Sequence, residues 1–185
     1  MPRVVAGKNR GTILTAPKGN DTRPTTDKVK EALFSSIQHH IPDALFLDLF
    51  SGTGQMGIEA VSRGAEKAIL VEQNRGACDI IRKNIEKTHN ESQVKLIMMN
   101  VDSALDRLHD EKQTFDVIFM DPPYRIASDM AERVSKKIRD YGLLAKDGLF
   151  IVEHASEEAL SHNVINLTFS RCCKYGATML TFFIE

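Results

Sequence analysis

The stretch Asp48-Leu49-Phe50-Ser51-Gly52-Thr53-Gly54-Gln55-Met56-Gly57 limits the possible folds more than any other. The apolar run Ala44-Leu45-Phe46-Leu47 enters it, and Ile58, Ala60 and Val61 leave it with helical spacing. Strand, glycine turn and helix therefore follow one another directly. Glycines at 52, 54 and 57 suit a sharp turn, close approach of a ligand to the backbone, and tight packing of helix on strand. The spacing is that of a dinucleotide fingerprint, GxGxxG, with Glu72 twenty positions beyond Gly52.

The charges choose between ligands. A pyrophosphate would lie over the turn, against backbone N–H groups and the helix N-terminus. Asp48, at the end of the strand, would repel it and suits a cation instead. S-adenosylmethionine carries a sulfonium and an ammonium and has no phosphate. Glu72 ends the next apolar run, Ala68-Ile69-Leu70-Val71, where it can accept from ribose hydroxyls. The plain alternative is a strand-turn-helix with two exposed acids.

From residue 44 onward, apolar strand runs alternate with amphipathic helices. Strands are expected near 44–48, 67–72, 94–98, 115–120 and 149–153, with helices near 55–64, 75–88, 102–109 and 127–139. Such alternation predicts a parallel sheet covered by helices, with ligands at the carboxyl ends of its strands. Asp48, Glu72, Asp102 and Asp121 all fall there. Val164–Phe169 and Met179–Ile184 break the rhythm and read as an antiparallel pair, turning through Cys172-Cys173-Lys174-Tyr175-Gly176.

Before the alternation begins, Arg3–Ala6 and Thr12–Thr15 read as a hairpin around the basic loop Gly7-Lys8-Asn9-Arg10-Gly11. A helix follows, with Thr25, Thr26 and Asp27 as capping candidates. Residues 1–30 hold seven Lys/Arg against two Asp, a net of +5, while the remainder carries −6. A basic arm on an acidic body suits a polyanion such as nucleic acid. Two units are expected: a basic extension over 1–38 and a cofactor-binding domain over 39–185.

At 185 residues the chain can bury one good core. No apolar run approaches the roughly 20 residues of a membrane span. The N-terminus lacks an apolar core of signal-peptide length, so the three cysteines, Cys78, Cys172 and Cys173, are expected to be reduced thiols in a cytoplasm. Cys172 and Cys173 have no second Cys/His pair at metal-ligand spacing, and no metal is expected.

Asp121-Pro122-Pro123-Tyr124 directly follows the fourth apolar strand. Two prolines make a rigid, donor-free corner that leaves the Asp121 carboxylate and the Pro122 carbonyl as fixed acceptors. An exocyclic amine on a base is a weak nucleophile because its lone pair is delocalised into the ring. Two preset acceptors gripping its N–H groups favour a pyramidal nitrogen and aim the lone pair at a methyl donor. Tyr124 offers a flat face for a base turned out of its stack. The plain alternative is a Pro-Pro turn with an aspartate cap. His154 reads as a hydrogen-bonded histidine at a strand end rather than a base.

With these motifs in place, nearly the whole chain resembles the bacterial S-adenosylmethionine-dependent methyltransferases that modify a guanine N2 in small-subunit (16S) ribosomal RNA. The matching segments are RVVAGKNRG (3–11), RPTTDKVKEALF (23–34), DLFSGTGQMGIEA (48–60), VEQN (71–74), DPPY (121–124), VEHA (152–155) and YGATML (175–180). Ser51, Thr53 and the pair Gln55-Met56 depart mildly from the family pattern. The resemblance implies an α/β Rossmann-like class I methyltransferase fold. Its mostly parallel seven-stranded sheet would have helices on both faces, an antiparallel C-terminal edge hairpin and a small N-terminal hairpin-helix extension.

It further implies that Asp48, Phe50, Gly52 and Gly54 hold the methionine half of the cofactor, and that Glu72, with Gln73 beside it, binds ribose. Asp102 would meet the adenine amino group, and Thr25 would cover the cofactor. Asp121, Pro122, Pro123 and Tyr124 would hold the target guanine next to the methyl donor. Arg3, Lys8, Arg10, Arg23 and Lys28 would contact RNA phosphates. The implied partner is ribosomal RNA in an assembling small subunit, met by a cytoplasmic monomer away from any membrane.

Two rival functions remain at this point. One is methylation of adenine N6 in DNA or of a protein glutamine amide, whose enzymes more often carry Asn where Asp121 stands. The other is a non-catalytic RNA-binding assembly factor.

Overall fold

The computed structural model describes residues 1–17, 26–123, 126–157, 160 and 165–185. Five α-helices and seven strands are defined among them, with one 3-10 turn at Gln38–His40: α1 Asp27–Ser36, β1 Leu45–Asp48, α2 Gln55–Ser62, β2 Lys67–Glu72, α3 Arg75–Thr88, β3 Val94–Met98, α4 Val101–Asp110, β4 Phe115–Met120, α5 Ala127–Tyr141, β5 Leu144–Ala155, β6 Thr168–Tyr175 and β7 Thr178–Ile184. One sheet runs in the order β3-β2-β1-β4-β5-β7-β6. The first five strands in that row are parallel, and β7 lies antiparallel to both β5 and β6.

Strand order reverses beside β1, between β2 on one side and β4 on the other, so the crevice over its carboxyl end is the expected ligand site. Alternation along each strand sends side chains to two faces. Phe46, Leu70, Val117, Phe119, Ile151 and Leu180 pack under α1, α2 and the N-terminal segment. Leu47, Val71, Ile118, Met120, Val152 and Phe183 pack under α4 and α5. The paired α1 cap is Thr26, whose hydroxyl accepts from the Val29 N–H.

Three expectations need correcting. β5 starts at Leu144 rather than near 149, because Leu144 pairs with Phe115 before the chain bulges out and resumes register at Leu149 opposite Val117. β6 covers Thr168–Tyr175, and the expected turn residues Cys172 to Tyr175 lie within it. Cys172 to Tyr175 pair in sequence with Thr181 to Thr178, leaving only Gly176 and Ala177 to turn the chain. Of the expected strand, Val164 lies outside the described residues.

The third correction concerns the N-terminal hairpin. It forms, but with a single bridge, Arg3 to Ile13, rather than two strands. The cross-bonds are Leu14 N–H to Pro2 O (2.8 Å), Val4 N–H to Thr12 O (2.9 Å) and Gly11 N–H to Val4 O (2.8 Å). Other polar groups of the segment turn to the body. Buried Glu59 of α2 accepts from the Val5 and Ala6 N–H groups (2.7 and 3.0 Å). Ser62 donates to Ala6 O and its carbonyl accepts from the Lys8 N–H.

Asn84 of α3 exchanges bonds with both backbone groups of Thr15 and also donates to Thr53 O, tying the segment to the glycine turn. Gly7, at φ +83°, lies so close to α2 that a Cβ there would sit 1.7 Å from the Ser62 carbonyl oxygen. Lys30, fully buried, completes the junction: its ammonium donates to Arg3 O (2.5 Å) and lies 3.8 Å from Glu59. Its pKa is lowered, because burial outweighs the attraction of Glu59 and Asp27.

Candidate active site

β1 and α2 are joined as the glycine spacing requires. Gly54 takes φ +77° at the N-cap of α2, a conformation that strains any residue with a Cβ. Gly57 serves packing: a Cβ there would lie 2.3 Å from Leu70 Cδ2, so its absence lets α2 settle on β2. Phe50 is half-buried against the α4/α5 side of the core.

Asp48 follows Leu47 and therefore projects on the α2 side. It is 1% exposed, and neither carboxylate oxygen has a hydrogen-bond partner among the described residues. Burial pushes its pKa up to about 7. The Phe50 N–H, the Ser51 side chain and the Gly57 N–H lie near enough to restrain the rise, while Glu72 adds to it. A buried carboxylate left without donors is costly unless a ligand supplies them.

Glu72 projects on the same face of β2, where it accepts from the Gly52 N–H (3.0 Å) and the Asn74 N–H (2.7 Å). It thereby clips the glycine turn to the start of α3. Gln73 beside it is exposed, and Asn74 caps α3.

Beyond Met120, Asp121 is half-buried, Pro122 buried and Pro123 exposed. Burial, then the negative charges of Glu153 and Asp48, hold the Asp121 carboxyl well above the usual carboxylate range. The sequence pattern gave Glu153 no site role; it is 3% exposed on β5, on the same face as Ile151. Its signal was an acid closing an otherwise apolar strand run, Leu149-Phe150-Ile151-Val152. The carboxyl ends of β1, β2, β4 and β5 thus present four acids on one side of the sheet.

Asp102 does not cap α4. Asn100 does, accepting from the Ser103 N–H, because it is the residue with extended backbone before the first turn. The Asp102 carboxylate pairs with Arg133 (3.2 Å) and Lys137 (3.8 Å) of α5. His154 points to the other face of β5, with Nε2 bonded to the Thr181 hydroxyl (2.9 Å) and Nδ1 near Ala155 O (3.0 Å). Thr25, Arg23 and Tyr124 lie outside the described residues.

Of the remaining basic candidates, Arg3 pairs with Asp27 (2.8 Å) and Lys8 donates to the Gln93 side chain. Arg10 and Lys28 are exposed and make no ion pair among the described residues. A separate cavity of about 300 Å³ opens at the amino ends of β1, β2 and β3, beside Phe46, Lys67 and Lys95. It is at the opposite end of the strands from the acids and takes no part in the site.

A switch-point crevice lined by acids, with a glycine turn on one flank and a Pro-Pro corner on the other, belongs to the Rossmann-like methyltransferases, the class that takes its methyl group from S-adenosylmethionine. Within that class, the chain belongs to the family described as conserved hypothetical protein 95, whose model matches residues 2–184.

It is similar to the “Putative rRNA methyltransferase YlbH” of Bacillus subtilis, 35% identical over 176 residues and 95% of each chain. It is also similar to the “Ribosomal RNA small subunit methyltransferase D” of Escherichia coli K12, 34% identical over 158 residues, which cover 85% of this chain and 77% of that one. Among solved structures, the hypothetical protein TTHA0928 of Thermus thermophilus superposes with a TM-score of 0.85 at 27% identity over the whole of both chains.

Proposed function

We propose that this protein is a ribosomal RNA methyltransferase that carries a methyl group from S-adenosylmethionine to the exocyclic N2 amine of a guanine in 16S ribosomal RNA. The observation that carries the reading is the pair of acids at the switch point. Asp48 is buried and without a hydrogen-bond partner among the described residues, and half-buried Asp121 stands between the end of β4 and two prolines. The names of the similar proteins support ribosomal RNA as the substrate. A carboxylate at 121, rather than an amide, supports guanine over adenine.

The residues fit the cofactor. Asp48 offers two buried acceptors to a cationic group, Gly52 and Gly54 keep the turn free of side chains, and Glu72, which accepts from the Gly52 and Asn74 N–H groups, is assigned to the ribose hydroxyls. Gln73 stands beside Glu72, and the first turn of α4, with Asp102, is assigned to the adenine amino group. When bound, the cofactor supplies an electrophilic methyl on a positively charged sulfur. Asp121 and the Pro122 carbonyl grip the amine's two N–H groups and orient its lone pair, and Tyr124 stacks on the base. Thr25 belongs to the cover of the site.

Arg10 and Lys28 are the exposed cations left for phosphate contacts, with Arg3, Lys8 and Arg23 near them in sequence. The target stands within an assembling small subunit, the protein acts as a cytoplasmic monomer, and residues 1–38 serve as the RNA-contacting extension of the domain over 39–185.

Labelled-methyl transfer to ribosomal RNA from cells lacking the protein, followed by nucleoside analysis, tests the proposal. Label in N2-methylguanosine is the expected result; label in methyladenosine, or none in any fraction, overturns it. Asp121→Ala should abolish transfer and leave cofactor binding intact.

A further inference from the structure

Met120 and Val152 pair in the ladder between β4 and β5. The next residue of each chain is an acid, so Asp121 and Glu153 emerge side by side on the α2 side of the sheet. Glu153 is almost wholly buried, with Ile151 before it on that face and Leu180 of β7 across the ladder. Asp48 closes the same face from β1. The charges bearing on Asp121 are those of Glu153 and Asp48, both negative. No group of acids among the described residues converges closely enough to hold a metal ion. Both oxygens of Asp48 are buried with no hydrogen-bond partner among the described residues, which suits a cation brought by a ligand.

We propose that Glu153 is a positioning residue for Asp121, its adjacent carboxylate fitting Asp121 to take up, for the pair, the single proton that a methylated amine must lose. The proposal rests on the reading of Asp121 as the acceptor for the amine. In the transfer, carbon passes from sulfur to nitrogen, and the electrons of the broken C–S bond stay on sulfur. Nitrogen gains a positive charge, and Asp121 removes one of its protons while the N–H electrons remain on nitrogen.

The carboxyls feel the change directly. Before transfer a sulfonium lies in the crevice and favours their ionised forms. Afterwards that charge is gone, and two adjacent acids hold a proton far more firmly than one. The sulfonium thus keeps Asp121 a weak proton acceptor while it is in place, and Glu153 makes Asp121 a strong one once that charge has passed to the amine.

Isothermal calorimetry in buffers of different ionisation heat tests this without RNA, so its outcome is separate from the identity of the methylated base. Near pH 7, binding of S-adenosylmethionine should release more protons than binding of S-adenosylhomocysteine. E153Q should at least halve that difference, and E153D should keep it. Equal proton release for the two ligands in the unaltered protein overturns the proposal, as does an unchanged difference in E153Q. Loss of binding of both ligands in both variants assigns Glu153 a purely structural part and also overturns it. On an established RNA substrate, E153Q should lower kcat about tenfold or more with KM little changed, as loss of a proton acceptor does.

Discussion

Replacing Asp48 with Asn isolates what a buried, unpartnered carboxylate does to the folded chain. In the unfolded chain this carboxyl titrates near 3.8, and in the fold near 7. Between those values the folded state holds a proton that the unfolded state has lost, so the contribution of Asp48 to stability is complete below about pH 4 and disappears as pH rises through 7. The separation of the two values corresponds to about 4 kcal/mol.

Asn keeps the shape and removes the titration. Its buried amide costs about 1–3 kcal/mol if unsatisfied, but that cost does not change with pH. The stability of Asp48→Asn relative to the unaltered protein should therefore climb by about 4 kcal/mol from pH 4 to pH 8. Removing the Asp48 charge also eases Asp121, which acts in the same direction. Urea unfolding of the cofactor-free protein at pH 4.5, 6 and 8 measures it. A relative stability that stays flat to within about 1 kcal/mol across that range would refute the reasoning. The same variant should bind S-adenosylmethionine poorly, a trade of function for stability.

Glu59→Ala removes the acceptor of two N–H groups and leaves Lys30 buried without its nearest full counter-charge on α2; it should cost about 3–5 kcal/mol in urea unfolding, and a loss below about 1 would contradict the junction described. Gly57→Ala forces a Cβ against Leu70 and should cost about 1–3 kcal/mol, read from the same assay, with no loss at all arguing against close helix-strand packing there. Arg10→Ala combined with Lys28→Ala should lower the slope of log affinity for RNA against log salt by about 0.7–0.9 for each phosphate no longer neutralised. An unchanged slope would take both cations out of the RNA surface.

The central sheet was legible because its signals are local. β2, α3, β3 and β4 begin and end where apolar runs and helical spacing say they do. The glycine turn was legible for the same reason, as was the end of β4 at Met120. Elements defined by distant pairing were not. The start of β5 depends on Phe115 across the ladder, and the length of β6 on β7. Glu153 reads in sequence as an ordinary polar strand end; only the register with β4 sets it beside Asp121. The attachment of the N-terminal segment left no trace either, because Glu59, Ser62 and Asn84 look like polar helix positions until the segment that covers them is in place.

That attachment sets an order on synthesis. Residues 3–15 leave the ribosome before the positions that hold them, which run from Asp27 and Lys30 through Glu59, Ser62 and Asn84 to Gln93. Until α2, α3 and the loop before β3 have been made and folded, the growing chain trails a basic tail with nothing to close upon. A segment made before its supports is thus among the last to find its place.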